Sequence, residues 1–467
     1  MTPGRRALAT RLAVYVALCG GAGALFLFAG DHAADTFPLD DAYIHHVYAE
    51  GIAYGEGLAY NPGRPAAGST SPLWAAVLSL LHLVGVGASV VATKLLGLLL
   101  AAVTALLADR LVARSAPRCA WVAGTLVALD PALTFGAVSG MEVSLAAALL
   151  LLALSNPDRP PVAGLALAAA AATRPELTLV TLLAAGLSRP RRRALAWLVG
   201  PTAAVWCAWC AWNLHATGAL LPTTFYAKHT PMGPFAQWRD LPRAYLALAG
   251  GPTLAVVGAP PLLRSLCRWR SLGAEPRLLL AALVAALMPL ALSWAHDLRE
   301  LEFYWTRYAL PLRPCVLILV ALGAGSLRRR RALALLWLGA GLLVAFPQAR
   351  HEHAENCRNV YELDVRAARW VRAHSAESDW IAANDAGAMR VVGRRRVVDL
   401  LGLNDHRMLG PEREAVLREA RPKYFVIFPS WFPRLAQRYP VAARFRSDPY
   451  TVCTRCDQSE LWVLRAR

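Results

Sequence analysis

The sequence predicts an all-α polytopic membrane bundle of about 11 transmembrane helices, followed by a small extracytoplasmic α/β domain. Three observations carry this. The 467-residue chain is 56% hydrophobic and 17% charged, with a mean hydropathy of +0.38. Its apolar residues come in long blocks rather than amphipathic stripes. From about residue 349 that texture gives way to frequent charges and short apolar runs. The bundle is assigned to residues 1–348, with 31–90 as its first outer loop and interfacial helices, and the α/β domain to 349–467.

The formal net charge of +18 would fit a nucleic-acid partner. The arginines, however, lie in short clusters between apolar blocks, where the positive-inside rule expects them, so topology explains the charge and no nucleic acid is expected. The first apolar stretch, 8–30, follows Arg5 and Arg6 and lacks a convincing small-residue cleavage site. It is read as an uncleaved first span, placing 31–90 outside. Pro72 to Val84 is too short to cross comfortably and reads as an interfacial helix.

Spans 2 and 3 (91–113 and 119–137) run in to Arg110, Arg114 and Arg118 and out to Glu142. Short spans 4 to 6 (143–155, 161–173 and 177–188) pass Arg159, then Arg174 and Glu176, and end at the 189–193 arginines. Span 7 (194–215) leads out to Leu221–Lys228, and span 8 (243–263) returns to Arg264, Arg268 and Arg270. Span 9 (277–295) reaches a His296–Arg307 outer loop, span 10 (308–326) returns to the 328–331 arginines, and span 11 (332–347) delivers the C-terminus outside. Every large arginine cluster then falls on one face.

In the C-terminal part, Val391-Val392, Val397–Leu400 and Tyr424–Phe428 read as short buried strands, and Pro411 to Ala420 as a helix. The nine cysteines show no zinc-finger spacing. Cys453-Thr-Arg-Cys456 reads as a redox pair, a disulfide or half a metal site; in an oxidising compartment a structural disulfide involving Cys357 is preferred, with one cysteine left over.

The candidate chemistry lies in the outer loops. Asp40 and Asp41 stand side by side, and like charges near an apolar surface raise one pKa, which suits a general base. The competing reading is a helix N-cap with a second acid in the first turn. Asp41 and His45 share a helical face at i, i+4 and can contribute to a divalent metal site, for which a third ligand must come from another loop. Glu142, Arg174, Tyr226, Lys228, His296 and Arg307 are the further candidates for donor-phosphate or substrate binding. Arg307 stands out because it breaks the charge bias of the other loops. No glycine-rich phosphate loop appears, so no nucleotide cofactor is expected.

Several ordered motifs carry a resemblance. They are Leu39–Ile44, Tyr48-Ala49-Glu50, Gly55–Asn61, Gly68–Trp74, Ser139–Glu142, Thr173–Glu176, Leu221–Lys228 and Thr306–Pro311. In the outer domain Asn384–Ala388 and Val398–Leu403 join them. Together they resemble the GT-C superfamily of polytopic glycosyltransferases, in particular the bacterial branch around the mycobacterial terminal arabinofuranosyltransferase. The chain departs from that branch at His45-His46, where Thr and Arg or Tyr are more usual, and at Thr223, where Asn often follows the proline.

The resemblance implies a multi-pass protein of the bacterial inner membrane, with a cytoplasmic N-terminus and an extracytoplasmic C-terminal domain. It implies inverting transfer of a sugar from a polyprenyl-phosphate donor to a glycan, lipid or protein acceptor on the outer face. The catalytic acid falls on Asp40 or Asp41, with Asp40 preferred as the base because Asp41 shares its helical face with His45, and the second-loop acid is Glu142. A lipid-linked sugar flippase is the alternative from another class, but such transporters carry charged or broken helices near the midplane, whereas these spans read as almost free of ionisable residues. A non-catalytic envelope assembly factor is the third reading, and it predicts that Asp40→Asn and Asp41→Asn leave function intact.

Overall fold

The computed structural model describes residues 3–187, 192–228, 239–249, 251–268, 270, 276–292, 307–327, 330–452 and 459–466. The chain packs as two compact units, each assembled from three separate segments. One comprises Met1–Leu27, Lys94–Trp206 and Thr230–His351; the other comprises Phe28–Thr93, Cys207–His229 and Glu352–Arg467.

The first unit is helical. Among the described residues four helices are long and apolar enough to cross a membrane: Arg6–Leu27, Val90–Ala113, Leu195–Thr217 and the apolar part of Arg331–His374. A fifth arises if Pro117–Leu129 and Pro131–Val138 count as one broken span, bent by 52°. The other apolar stretches are shorter helices, among them Val143–Leu154 and Pro160–Thr173. At 1.5 Å per residue, 12 residues advance only about 18 Å against a hydrocarbon core of about 30 Å. Length and composition therefore support four or five of the expected spans.

Proline and glycine explain the interruptions. Expected span 3 is split at Asp130-Pro131, where the residue before proline is held extended (φ −68°, ψ 122°). The Asp130 side chain then caps the new helix by accepting from Leu133 N–H at 2.9 Å. Expected span 8 is likewise two helices, Leu241–Leu248 and Pro252–Cys267, parted at Gly251 with φ +93°.

The second unit is an α/β body. Helix Asp40–Ala53 is followed by a small hairpin of β1 (Ala59–Asn61) and β2 (Arg64–Pro65), and by helix Pro72–Leu83. Beyond the long helix come β3 (Trp380–Ala383), β4 (Arg396–Asp399), β5 (Tyr424–Ile427), β6 (Val441–Arg446) and β7 (Glu460–Arg465). These five form one sheet in the order β4-β3-β5-β7-β6, with β4, β3 and β5 parallel and β7 antiparallel to both its neighbours. Helices Ala386–Val391 and Arg413–Ala420 make the two parallel connections. Val391 and Val392, expected as a strand, end the first of these helices, because two β-branched residues carry too short a signal to outweigh the turn around them.

Both faces of the parallel strands are covered, with alternate residues on opposite sides. Ile381 and Ala383 join Val47, Tyr48 and Tyr60 in one core, while Ala382 joins Val398, Phe425 and Ile427 in another. The first core is thus shared by residues 28–93 and the C-terminal segment.

Candidate active site

Asp40 opens helix Asp40–Ala53, whose first turn carries both aspartates. Asp40 caps a different helix. Its Oδ2 accepts from Gly387 N–H and its Oδ1 from Ala388 N–H, each at 2.6 Å, at the start of helix Ala386–Val391. This approach demands glycine at 387, where a Cβ would run into the Asp40 carbonyl oxygen. The Asn384–Ala388 motif is therefore the receptor for Asp40.

Burial is the main influence on the Asp40 carboxyl and pushes it up to about 7, against the lowering effect of the two amides; Asp41 and Asp399 raise it further. Part of the residue still reaches solvent, yet its carboxyl is closed in by protein. Asp385 is raised as well, first by burial and then by the charges of Asp40 and Asp41, and it shares a hydrogen bond with Asp364. Crowded buried carboxyls of this kind hold protons near neutrality.

Asp41 is placed differently. Its Oδ2 stands 3.7 Å from Lys228 Nζ, with about a quarter of each side chain exposed (28% and 29%). Lys228 ends the short helix Thr223–Lys228, which is tied down by Thr223 N–H donating to Ala67 O at 2.9 Å. Tyr226, on the same helix, sets its ring edge-on to His406 at 5.4 Å, and its hydroxyl accepts from Leu221 N–H.

The Val398–Leu403 motif also has a structural task. Asp399 accepts from Leu401 N–H at 2.9 Å and from the Asn404 backbone and side-chain amides at 3.0 and 2.8 Å. Burial raises Asp399 to about 6. Asn404 Oδ1 in turn accepts from Tyr48 OH at 2.8 Å, and Tyr48 OH accepts from Gly68 N–H at 3.1 Å. Tyr48 lies on the Asp41 helix, so this chain of bonds fixes the helix that carries the aspartates.

His45 and Asp41 share that helix at the expected spacing, and His45 is buried. Among the described residues no three His, Cys, Asp or Glu side chains are grouped so as to hold a metal ion. His46 is a core residue. It stacks on Phe37, its Nε2 lies 2.9 Å from Thr93 Oγ1, and burial lowers it to about 3, so it packs neutral. Cys357 is buried and its Sγ donates to Thr36 O at 3.2 Å; its expected disulfide partners, Cys453 and Cys456, lie outside the described residues.

In the first unit, Glu142 and Arg174 form a buried ion pair, with Arg174 Nε 2.7 Å from Glu142 Oε1. Glu176 stands 3.8 Å from the same guanidinium, which also donates to Arg307 O at 3.3 Å. Both arginines lie over the Tyr308 ring, at 4.8 and 5.4 Å. Glu142, Arg174 and Arg307 are thus brought together, while His296 lies outside the described residues.

Several buried charges were not legible as such. Arg313 forms a two-point ion pair with Asp130 (2.8 and 2.7 Å) at the break between the bent helices, and also donates to Leu248 O. Asp109 accepts from Arg11 at 2.6 Å and from Tyr15 at 2.9 Å, and Lys94 is fully buried. The helix interiors are therefore less free of ionisable groups than the sequence suggested. The signal was a lone charge inside an apolar run.

A family model described as "Domain of unknown function (DUF8728)" matches residues 355–462. No curated protein matches the sequence. Among solved structures, ArnT from Cupriavidus metallidurans in the apo state superposes with a TM-score of 0.63 at 13% identity, over 99% of this chain and 98% of ArnT. The Archaeoglobus fulgidus oligosaccharyltransferase, in complex with Zn and sulfate, gives 0.58 at 13% identity over 92% of this chain and 72% of its own. The arabinofuranosyltransferase AftD from Mycobacteria gives 0.52 at 17% identity, over 99% of this chain but 41% of AftD. Identities this low speak to architecture, and the architecture they share with this chain is the GT-C fold.

Proposed function

We propose that the protein transfers a sugar from a polyprenyl-phosphate donor to a hydroxyl-bearing glycan, lipid or protein acceptor, with Asp41 as general base and Asp40 as the residue that positions it. The observation that carries this is the unequal commitment of the two aspartates: Asp40 spends both oxygens on backbone amides, whereas Asp41 sits partly exposed beside Lys228. Two comparison structures support the donor class, since the Cupriavidus ArnT is also known bound to undecaprenyl phosphate and the Archaeoglobus enzyme in complex with an inhibitory peptide and a dolichol-phosphate.

The chemistry balances on these groups. Asp41 takes the proton of the acceptor hydroxyl as its oxygen attacks the anomeric carbon. The bond from that carbon to the phosphate oxygen breaks, and the polyprenyl phosphate leaves with the electron pair. Lys228 is the cation proposed to meet the developing negative charge. One base and one displacement give inversion.

Purified protein is given radiolabelled polyprenyl-phosphate sugars with and without chelator, and transfer is measured. Asp41→Asn is expected to lower kcat by roughly 10²–10⁴-fold with donor binding retained. Full transfer by this variant would sink the assignment. The proposed setting is a bacterial plasma membrane, crossed about 11 times, with the N-terminus cytoplasmic and the C-terminal domain outside. Reporter fusions at both termini test it.

A further inference from the structure

The second unit contains a cavity of about 410 Å³ that the reaction chemistry above does not use. Its walls come from the β1–β2 hairpin, from His215–Gly218, and from the β4 strand with the loop and helix after it. The volume falls within the range of small-molecule sites.

The acids in its lining outnumber the arginines, and both arginines are already engaged. Arg407 is held by Asp405, at 3.1 Å from Nε and 2.8 Å from a terminal nitrogen, and lies 3.6 Å from Glu419. Arg64, the other lining arginine, has its guanidinium over the Trp380 ring at 5.3 Å. An anionic ligand would meet three carboxylates, Asp399, Asp405 and Glu419, for these two cations, so the lining does not select for phosphate. What it does present is a mixture of neutral and matched donors and acceptors around apolar floor residues such as Val397 and Ala420. Such a surface suits a molecule with hydroxyls on its edges and C–H groups on its faces.

The cavity is also built on the elements that carry the proposed base. His406, in its wall, packs edge-on to Tyr226, two residues before Lys228, the partner of Asp41. Asn404, also in the wall, receives the Tyr48 hydroxyl from the Asp41 helix. An occupant would therefore be held by the same elements that hold the base.

We propose that this cavity is an acceptor subsite that takes a neutral, hydroxyl-rich oligosaccharide segment. The inference rests on the glycosyl-transfer reading for the word acceptor. The ligand class rests on the lining alone.

The test uses the full-length protein in detergent micelles, with maltotriose, mannotriose and xylotriose as neutral probes and inorganic phosphate as the anionic one. Binding is measured by saturation-transfer NMR for the wild type, Ala420→Trp, which fills the cavity, and Thr217→Val, which removes one wall hydroxyl. At least one trisaccharide is expected to bind the wild type, about ten-fold more weakly to Ala420→Trp and measurably more weakly to Thr217→Val, without displacement by phosphate. Equal binding by wild type and variants, no trisaccharide binding at all, or displacement by phosphate overturns the proposal. Should Ala420→Trp not fold, Thr217→Val decides. Transfer from radiolabelled polyprenyl-phosphate sugars by the wild type is read separately. Its failure strikes the transfer reaction, whereas failure of trisaccharide binding strikes the cavity.

Discussion

Replacing Asp40 by Asn separates positioning from catalysis. At pH 8, above the value of about 7 to which burial raises it, Asp40 is largely ionised and offers one carboxylate oxygen to each of two amides, at 2.6 Å. An Asn side chain keeps one acceptor oxygen and turns its NH₂ toward the other amide, donor against donor. One charge-assisted bond is lost and one helix N–H is left without an acceptor, a cost of roughly 2–4 kcal/mol. For a unit of this size that corresponds to a fall in melting temperature on the order of 4–16 °C. Thermal unfolding in detergent, followed by tryptophan fluorescence, measures it. Asp41→Asn weakens a part-exposed pair with Lys228 and is expected to cost under about 1 kcal/mol while removing turnover. The reasoning fails if Asp40→Asn melts like the wild type, or if Asp41→Asn keeps its turnover.

Other perturbations probe the rest of the framework. Gly387→Ala pushes helix Ala386–Val391 off Asp40 and should lower both melting temperature and transfer, whereas Gly410→Ala, where a Cβ meets nothing, should do neither. Arg313→Met strands the Asp130 carboxylate in the first unit and is expected to cost about 3–5 kcal/mol, with Asp130→Asn/Arg313→Met costing less than the single change, as denaturation of each variant will show. His46 is held neutral, lowered from 6.5 to about 3, so the native state binds fewer protons than the unfolded one between those values. Its stabilisation is complete above pH 6.5 and is lost as pH falls toward 3. Melting curves of His46→Phe, which keeps the stack on Phe37, should lack this part of the acid loss; an unchanged pH slope would show that His46 is not its source.

Much of the site could be read as motifs, but their partners could not. Asp40, Asp41, Glu142, Arg174 and Lys228 each stand in a short polar segment next to an apolar block, which composition reveals. That Asp40 spends itself on Gly387 and Ala388 depends on residues 347 and 348 positions away, and no local pattern carries that. The same distance hid the link from Tyr48 to Asn404. The α/β character of the C-terminal segment was legible from its alternating runs, while β3, β6 and β7 escaped notice. Trp380–Ala383 is only four residues long, and Val441–Arg446 is mostly exposed and rich in arginine. Span boundaries were least secure where proline or glycine broke an apolar run, as at Pro131 and Gly251.

The aspartate helix belongs to a unit stitched from an early, a middle and a late stretch of the chain. That arrangement ties competence to completion. During synthesis the aspartates emerge among the first tenth of the residues, but the amides that hold Asp40 are made only after four fifths of the chain exist. A nascent or prematurely ended chain would present Asp40 and Asp41 without the groups that set their geometry. The last segment thus completes the surroundings of Asp40, which exist only once nearly the whole chain has been made.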